Sequence, residues 1–168
     1  MENLFPIENG AVAMRSLGDL KPFERNARTH SKRQIGQIAK SIRRFGFVNP
    51  VLVDDGGGVI AGHGRIEAAR TLGISEVPVL SLGVMSTAER RAYIIADNRL
   101  AELAGWDNDL LACELGELQS LIDDIDFECL GFDQGELDAL LAHADDKGAG
   151  DAVTGKRLPA QRFSGVPR

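Results

Sequence analysis

Apolar Ile35, Ile38, Ala39, Ile42 and Phe45 recur at intervals of three and four, the spacing that lines up side chains on one face of a helix. Ser31, with Gln34 three residues later, supplies a capping-box start and Gly46 a stop, so a helix is predicted between them. Its opposite face carries Lys32, Arg33, Lys40, Arg43 and Arg44. The run from Phe47 to Val53, entered through Pro50, reads as a buried strand, and Asp54 to Gly58 as a turn. Val59 to Ala61 makes a second strand, broken by Gly62-His63-Gly64. Helical spacing resumes from Arg65 to Leu72 through Ile66, Ala69 and Leu72, ahead of Gly73. Val77 to Leu80 makes a third strand, whose Pro78 favours a strand start or a sheet edge.

From Thr87 the character changes. Ala88 to Leu103 reads as one or two helices, Gly105-Trp106 as a break, and Asp107 as the cap of a helix reaching Ile122. A last helix is expected from Gly135 to His143, followed by a disordered tail rich in glycine and proline. The chain divides into a loosely attached arm over 1–16, a folded domain over 17–105, an acidic helical extension over 106–144 and the tail over 145–168. No internal repeat is visible.

A length of 168 residues allows one ordinary domain with a short appendage. No apolar run approaches the roughly 18 residues of a membrane span. Met1 to Gly18, with Glu2 and Glu8, lacks the basic flank and apolar segment of a secretory signal, so a cytoplasmic protein without membrane contact is expected. Charge changes the picture more. Residues 1–100 hold 14 Lys and Arg against 10 Asp and Glu, residues 101–146 hold none against 14, and residues 147–168 hold 5 against 1. The segment from Lys21 to Arg44 has eight cations, Arg28 among them, against Glu24 alone. Such a surface suits phosphates, and equally suits solvent. The acidic block either covers a basic surface or keeps the chain in solution.

The residues from Val59 to Arg65 deliver a strand through a glycine turn to a helix N-terminus. Free backbone N–H groups and the positive end of the helix dipole favour an anion there, and glycines let it approach closely. Arg65 adds a bidentate, charge-assisted partner. Gly62-His63-Gly64-Arg65 matches no Walker or dinucleotide fingerprint, so a plain tight turn is an equal alternative. His63 reads first as a hydrogen-bond donor to phosphate, then as a turn residue, and last as a base, which needs an orienting partner. Cys113 and Cys129 have no CxxC or CxxH neighbour and read as buried, inert thiols; His30, His63 and His143 show no zinc spacing.

Asn26-Ala27-Arg28, Ser41-Ile42 with Gly46 and Pro50 in an SIxxxGxxxP arrangement, Gly62 to Arg65 with Glu67-Ala68-Ala69, and Val77-Pro78-Val79 together resemble the N-terminal domain of the ParB/sulfiredoxin superfamily, over residues 17–105. The stretch from Ile95 to Asp107 resembles the segment after this ParB-like nuclease domain in phage and bacterial DNA-modification methyltransferases. The resemblance implies an α/β (α+β) fold, a small mixed sheet with flanking helices, here followed by the acidic helical extension. The chain contains no DPPY- or NPPY-type tetrapeptide and no FxGxG. It therefore reads as the ParB-like module alone, a stand-alone relative or a truncated one, with no methyltransferase activity expected.

In ParB-type members a GERR-like turn binds nucleotide phosphates, commonly of CTP. The nucleotide or phosphate site that the resemblance implies comprises Gly62, His63, Gly64 and Arg65, with Pro50 and Asn98. His63 stands where those members have glutamate, and Gly64 where they have the first arginine. Asp97 and Asn98 resemble the acidic-Asn pair that helps partition proteins hold a magnesium-nucleotide, without the Gln-Arg that should follow. The expected cofactor is Mg2+ with CTP or ATP. Sulfiredoxin-type members carry a catalytic cysteine where His63 stands, which excludes sulfinic reductase chemistry. Free-serine kinases share the fold, so a phosphotransferase with Glu67 as base is an alternative; the competing reading of Glu67 is a solvent-facing helix residue. A nuclease needs a carboxylate cluster, for which Asp54, Asp55, Asp97 and Glu67 are the candidates.

Partition proteins follow this domain with a helix-turn-helix DNA reader. An extension without Lys or Arg forfeits the phosphate contacts that supply most affinity, so DNA contact is expected from Arg28, Lys40, Arg43 and Arg44 or from the basic tail. The leading expectation is a DNA-associated module with a nucleotide or phosphate at the GHGR turn, in a DNA-modification or partition context. The alternatives are a nuclease or nucleotide-dependent phosphotransferase, and an interaction module whose acidic helices engage a methyltransferase or another phage or DNA-processing protein.

Overall fold

The computed structural model describes residues 11–83 and 85–148. Strands β1 (Ala13–Ser16), β2 (Val51–Val53), β3 (Val59–Ala61) and β4 (Glu76–Ser81) form one sheet in the order β1-β4-β2-β3. β2 is parallel to β4, while the β1–β4 and β2–β3 pairs are antiparallel. The sheet is thus small and mixed, and the class is α+β, as expected. Among the described residues it is accompanied by helices α1 (Lys32–Phe45), α2 (His63–Thr71), α3 (Thr87–Leu103), α4 (Asn108–Leu121) and α5 (Gln134–Gly148), with a 3-10 turn at Phe127–Leu130. None of these helices is long and apolar enough to cross a membrane.

Alternation along the strands sorts the core into two layers. Val51, Val53, Val59, Val77 and Val79 pack with Ile66 and Ala69 of α2. Ile60, Leu52 and Leu82 instead meet Ile94 of α3. The sheet therefore lies between α2 and α3, and α1 packs on α2. α1 starts and stops where the pattern placed it: Ser31 Oγ accepts the Gln34 N–H at 3.1 Å, and Gly46 caps the end at φ +82°. The Gln34 side chain, however, bonds His30 Nδ1 at 2.9 Å instead of closing the capping box.

Several elements differ from expectation. The arm placed over residues 1–16 ends as β1, whose pairing with β4 is antiparallel from Ala13 to Ser16. Met14 is largely exposed, so this strand leaves little hydrophobic alternation to read. Pro78 lies in an interior strand rather than at an edge. Leu17 N–H donates to Ser75 O at 2.9 Å, which by antiparallel alternation makes Met14–Pro78 a non-hydrogen-bonded pair. The proline nitrogen therefore faces β2, whose pairing begins only at Val79, and no ladder bond is lost. β2 is shorter than expected, beginning after Pro50, which has no N–H to give. α2 starts two residues early, at His63, and α5 runs on to Gly148, into the expected tail; residues 149–168 lie outside the described ones. Cys129 is buried as expected, but Cys113 is exposed.

Candidate functional site

Strand β3 passes into α2 with a single residue between them. Gly62 has φ +104°, a left-handed conformation that side chains rarely adopt, and it lets His63 open the helix at once. The first helical bond runs from Ile66 N–H to Gly62 O at 3.0 Å, so the N–H groups of His63, Gly64 and Arg65 have no carbonyl of their own helix behind them. At Gly64 the two helices touch. A Cβ there would lie 3.0 Å from Ile38 Cδ1 and 3.1 Å from His30 Cε1.

Arg65 folds back over this turn. Its Nη2 donates to Pro50 O at 3.2 Å, and Nη2 and Nε stand 3.0 and 3.2 Å from where a Cβ on Gly62 would be. Its Nε is buried with no hydrogen-bond partner. Burial pulls the guanidinium below its ordinary pKa, and the Asp97 carboxylate pushes it back up. A buried donor left unpaired costs roughly 1–3 kcal/mol, which an anion oxygen at this turn would offset.

His63 makes a contact that the sequence reading did not include. Its Nε2 accepts the Phe23 N–H at 3.3 Å, so in the neutral ring the proton sits on Nδ1. Burial and nearby His30 lower its pKa against the opposing pull of Glu67. His63 therefore pins the loop at Phe23 as a neutral ring, and only Nδ1 is left to donate. In that loop Asn26 accepts the Arg28 N–H and donates to Arg28 O, both at 3.1 Å.

A cavity of about 210 Å³ opens over the turn, and Arg28, His30, His63, Arg65, Asp97 and Asn98 are among its lining residues. Helix α3, begun by a complete Ser86–Glu89 capping box, thus carries Asp97 and Asn98 to the site that β3 and α2 form. The Asn98 amide donates to Ile94 O at 2.8 Å, and Asp97 also acts on Tyr93, whose pKa is raised, first by burial. Two wider clefts share Asn26 and Arg28 with this cavity: one of about 410 Å³ toward Arg91 and Arg99, one of about 560 Å³ toward Lys32 and Glu67. Sequence reasoning passed over His30 as a site residue. Its position two residues beyond Arg28 and just before the α1 cap was the available signal.

The other candidates are dispersed. Glu67 is exposed and paired with Arg70. Asp54 accepts the Gly58 N–H at 2.7 Å and pairs with Arg90. Among the described residues no group of three His, Cys, Asp or Glu side chains could hold a metal ion. Arg33, Lys40 and Arg44 on the basic face of α1 are occupied by the chain's own carboxylates. Lys40 pairs with Asp126 at 2.9 Å and with Glu128, Arg44 with Asp124 through two 3.2 Å bonds, and Arg33 with Asp133. Arg28 pairs with Glu102, which also holds Arg99 at 3.1 Å. Hydrogen bonds from these cations hold Asp124, Asp126 and Asp133 below the usual carboxylate range. Of the four residues expected at DNA, Arg43 alone has no carboxylate partner among the described residues.

Residues 6–98 match the family model of the ParB N-terminal domain. The chain belongs to that family. Residues 109–163 match the ParB-methyltransferase HTH domain, which spans the expected boundary between acidic extension and tail. Over 80 residues this ParB-like chain is 44% identical to the ParB-like nuclease domain-containing protein YnaK of Escherichia coli (strain K12), covering 48% of this chain and 92% of YnaK. It is 31% identical over 80 residues to the probable chromosome-partitioning protein ParB of Rickettsia typhi, covering 47% of this chain but 28% of that one. The C-terminally truncated chromosome-partitioning protein ParB from Caulobacter crescentus, complexed with CTP-gamma-S, has the same fold at a TM-score of 0.63 and 20% identity, over 85% of this chain and 88% of that one. Gly64, which the sequence resemblance sets against an arginine, lies against His30 and Ile38.

Proposed function

We propose that this ParB-like module binds the phosphates of a nucleoside triphosphate at the Gly62–Arg65 turn and works in association with DNA, in a modification or partition setting in the cytoplasm. The buried, unpartnered Nε of Arg65 carries the reading, because it points to an absent acceptor beside three helix-opening N–H groups. Gly62 and Gly64 keep the backbone open to close approach. Asp97 and Asn98, across the same cavity, would meet the Mg2+ that travels with a triphosphate; such an ion takes most of its ligands from phosphates and water and needs one or two protein oxygens. CTP is favoured over ATP because a ParB of the same fold was solved with a CTP analogue. DNA association is supported by the partition protein among its relatives and by the helix-turn-helix family match.

Calorimetric titration with CTP, ATP and GTP in magnesium tests the site. Saturable binding that Arg65→Ala abolishes is the expected result; no binding to any of the three overturns it.

The name of the family matched by residues 109–163 favours one further setting, operation beside a DNA methyltransferase. Co-purification of a methyltransferase, disrupted by salt, is the result expected; a methyltransferase that never associates overturns it.

A further inference from the structure

Arg33, Gln37, Lys40 and Arg44 follow one another at intervals of three and four, so they share one face of α1. That face meets residues 122–133 of the same chain, 80 to 100 positions away. Asp124, Asp126, Glu128 and Asp133 each engage one of its cations, and Gln37 donates to Gly131 O at 3.0 Å. The segment sets a row of anions on the cationic face, much as a nucleic-acid backbone would. Ion pairs this exposed hold weakly one at a time and are screened by salt. A duplex, with a charge about every 1.7 Å and counterions to release, competes for such cations on better terms.

We propose that residues 122–133 form a built-in polyanion that covers a duplex-DNA-binding face of α1 and must lift away before DNA is seated there. Once it lifts, Arg33, Lys40 and Arg44 join Arg43, which has no carboxylate partner among the described residues. The inference rests on the DNA-associated reading above. It adds that the basic and acidic parts of this chain are alternative partners for one surface.

The test combines Asp124→Asn, Asp126→Asn, Glu128→Gln and Asp133→Asn in the full chain. Hydrogen exchange in α1 and in residues 122–133 reads the cover without DNA, and fluorescence anisotropy with a duplex oligonucleotide reads the exposed face. Faster exchange in both segments is expected, with duplex affinity at least about tenfold higher at about 50 mM salt, and a log–log salt slope steeper by up to about 2.7, or roughly 0.9 for each of three freed cations. Adding Lys40→Gln and Arg44→Gln should remove the gain. Unchanged exchange overturns the cover. Faster exchange with unchanged duplex affinity overturns the competition, and no duplex binding by the opened protein locates the failure in the DNA reading. Should the quadruple variant not fold, exchange of the unmodified chain in rising salt decides: residues 122–133 must open ahead of the sheet, and opening together with it sinks the proposal.

Discussion

Arg65 reaches from the first turn of α2 to the carbonyl oxygen of Pro50, 3.2 Å from Nη2, so one guanidinium ties the start of a helix to the residue before β2. The same group leaves its Nε buried without a partner. Arg65→Lys keeps the charge but loses the planar fork, and nucleotide affinity should fall by at least about tenfold, the worth of one charged hydrogen bond. Calorimetry with CTP and magnesium checks this. Melting of the ligand-free Arg65→Ala protein should show little loss of stability, because the substitution also removes an unsatisfied donor.

The sequence resemblance sets an arginine where Gly64 stands. Restoring it as Gly64→Arg forces a side chain toward Ile38 and His30, where even a Cβ is within about 3 Å, and overpacking of this kind costs typically 1–3 kcal/mol. A lowered thermal midpoint, with no gain in nucleotide affinity, is the expected outcome. Gly64→Arg combined with His30→Ala should recover part of the stability.

His63 gives the fold a pH dependence. Its pKa in the folded chain is depressed by burial and by His30, so below the ordinary value of about 6.5 the unfolded chain binds more protons than the folded one. Stability is then full above that value and declines as pH falls toward the depressed one. Denaturant midpoints measured from neutral to mildly acid pH should drop, and His63→Gln should flatten that limb.

Nuclease chemistry asks for clustered carboxylates, and here Asp54 is tied to Arg90 and Glu67 to Arg70. Plasmid DNA incubated with the protein in magnesium or manganese should remain supercoiled. Metal-dependent nicking lost in Asp97→Ala would reverse this expectation.

Much of this was legible because local rules coincide with the fold. The apolar period of α1, its Ser31 and Gly46 boundaries and the Val59–Ala61 strand could be read directly, since each depends on a few neighbouring residues. β1 could not, because it is held by backbone pairing to β4 and exposes Met14. The place of Pro78 escaped for a related reason: a proline's tolerance depends on which way its nitrogen faces, which the partner strands decide. At the site, Gly62 and Arg65 were visible in the motif. The Phe23–His63 bond and the packing of His30 on Gly64 join residues about 35 to 40 positions apart in sequence, a distance at which side-chain contact leaves no local periodicity. The charge segregation was plain, but only the structure pairs Lys40 with Asp126 and Arg44 with Asp124.

β1 also has a bearing on handling the protein. It saturates the outer N–H and C=O groups of Val77 and Val79 through the Arg15 and Ala13 pairs. Shortening the chain past Ser16 would turn β4 into an open edge. Pro78 offers no protection there, because its nitrogen faces the other way. A bare edge beside well-packed valines is a template for strand addition by another molecule, so such a shortened protein should self-associate, with light scattering that grows with concentration, while the intact one stays dispersed.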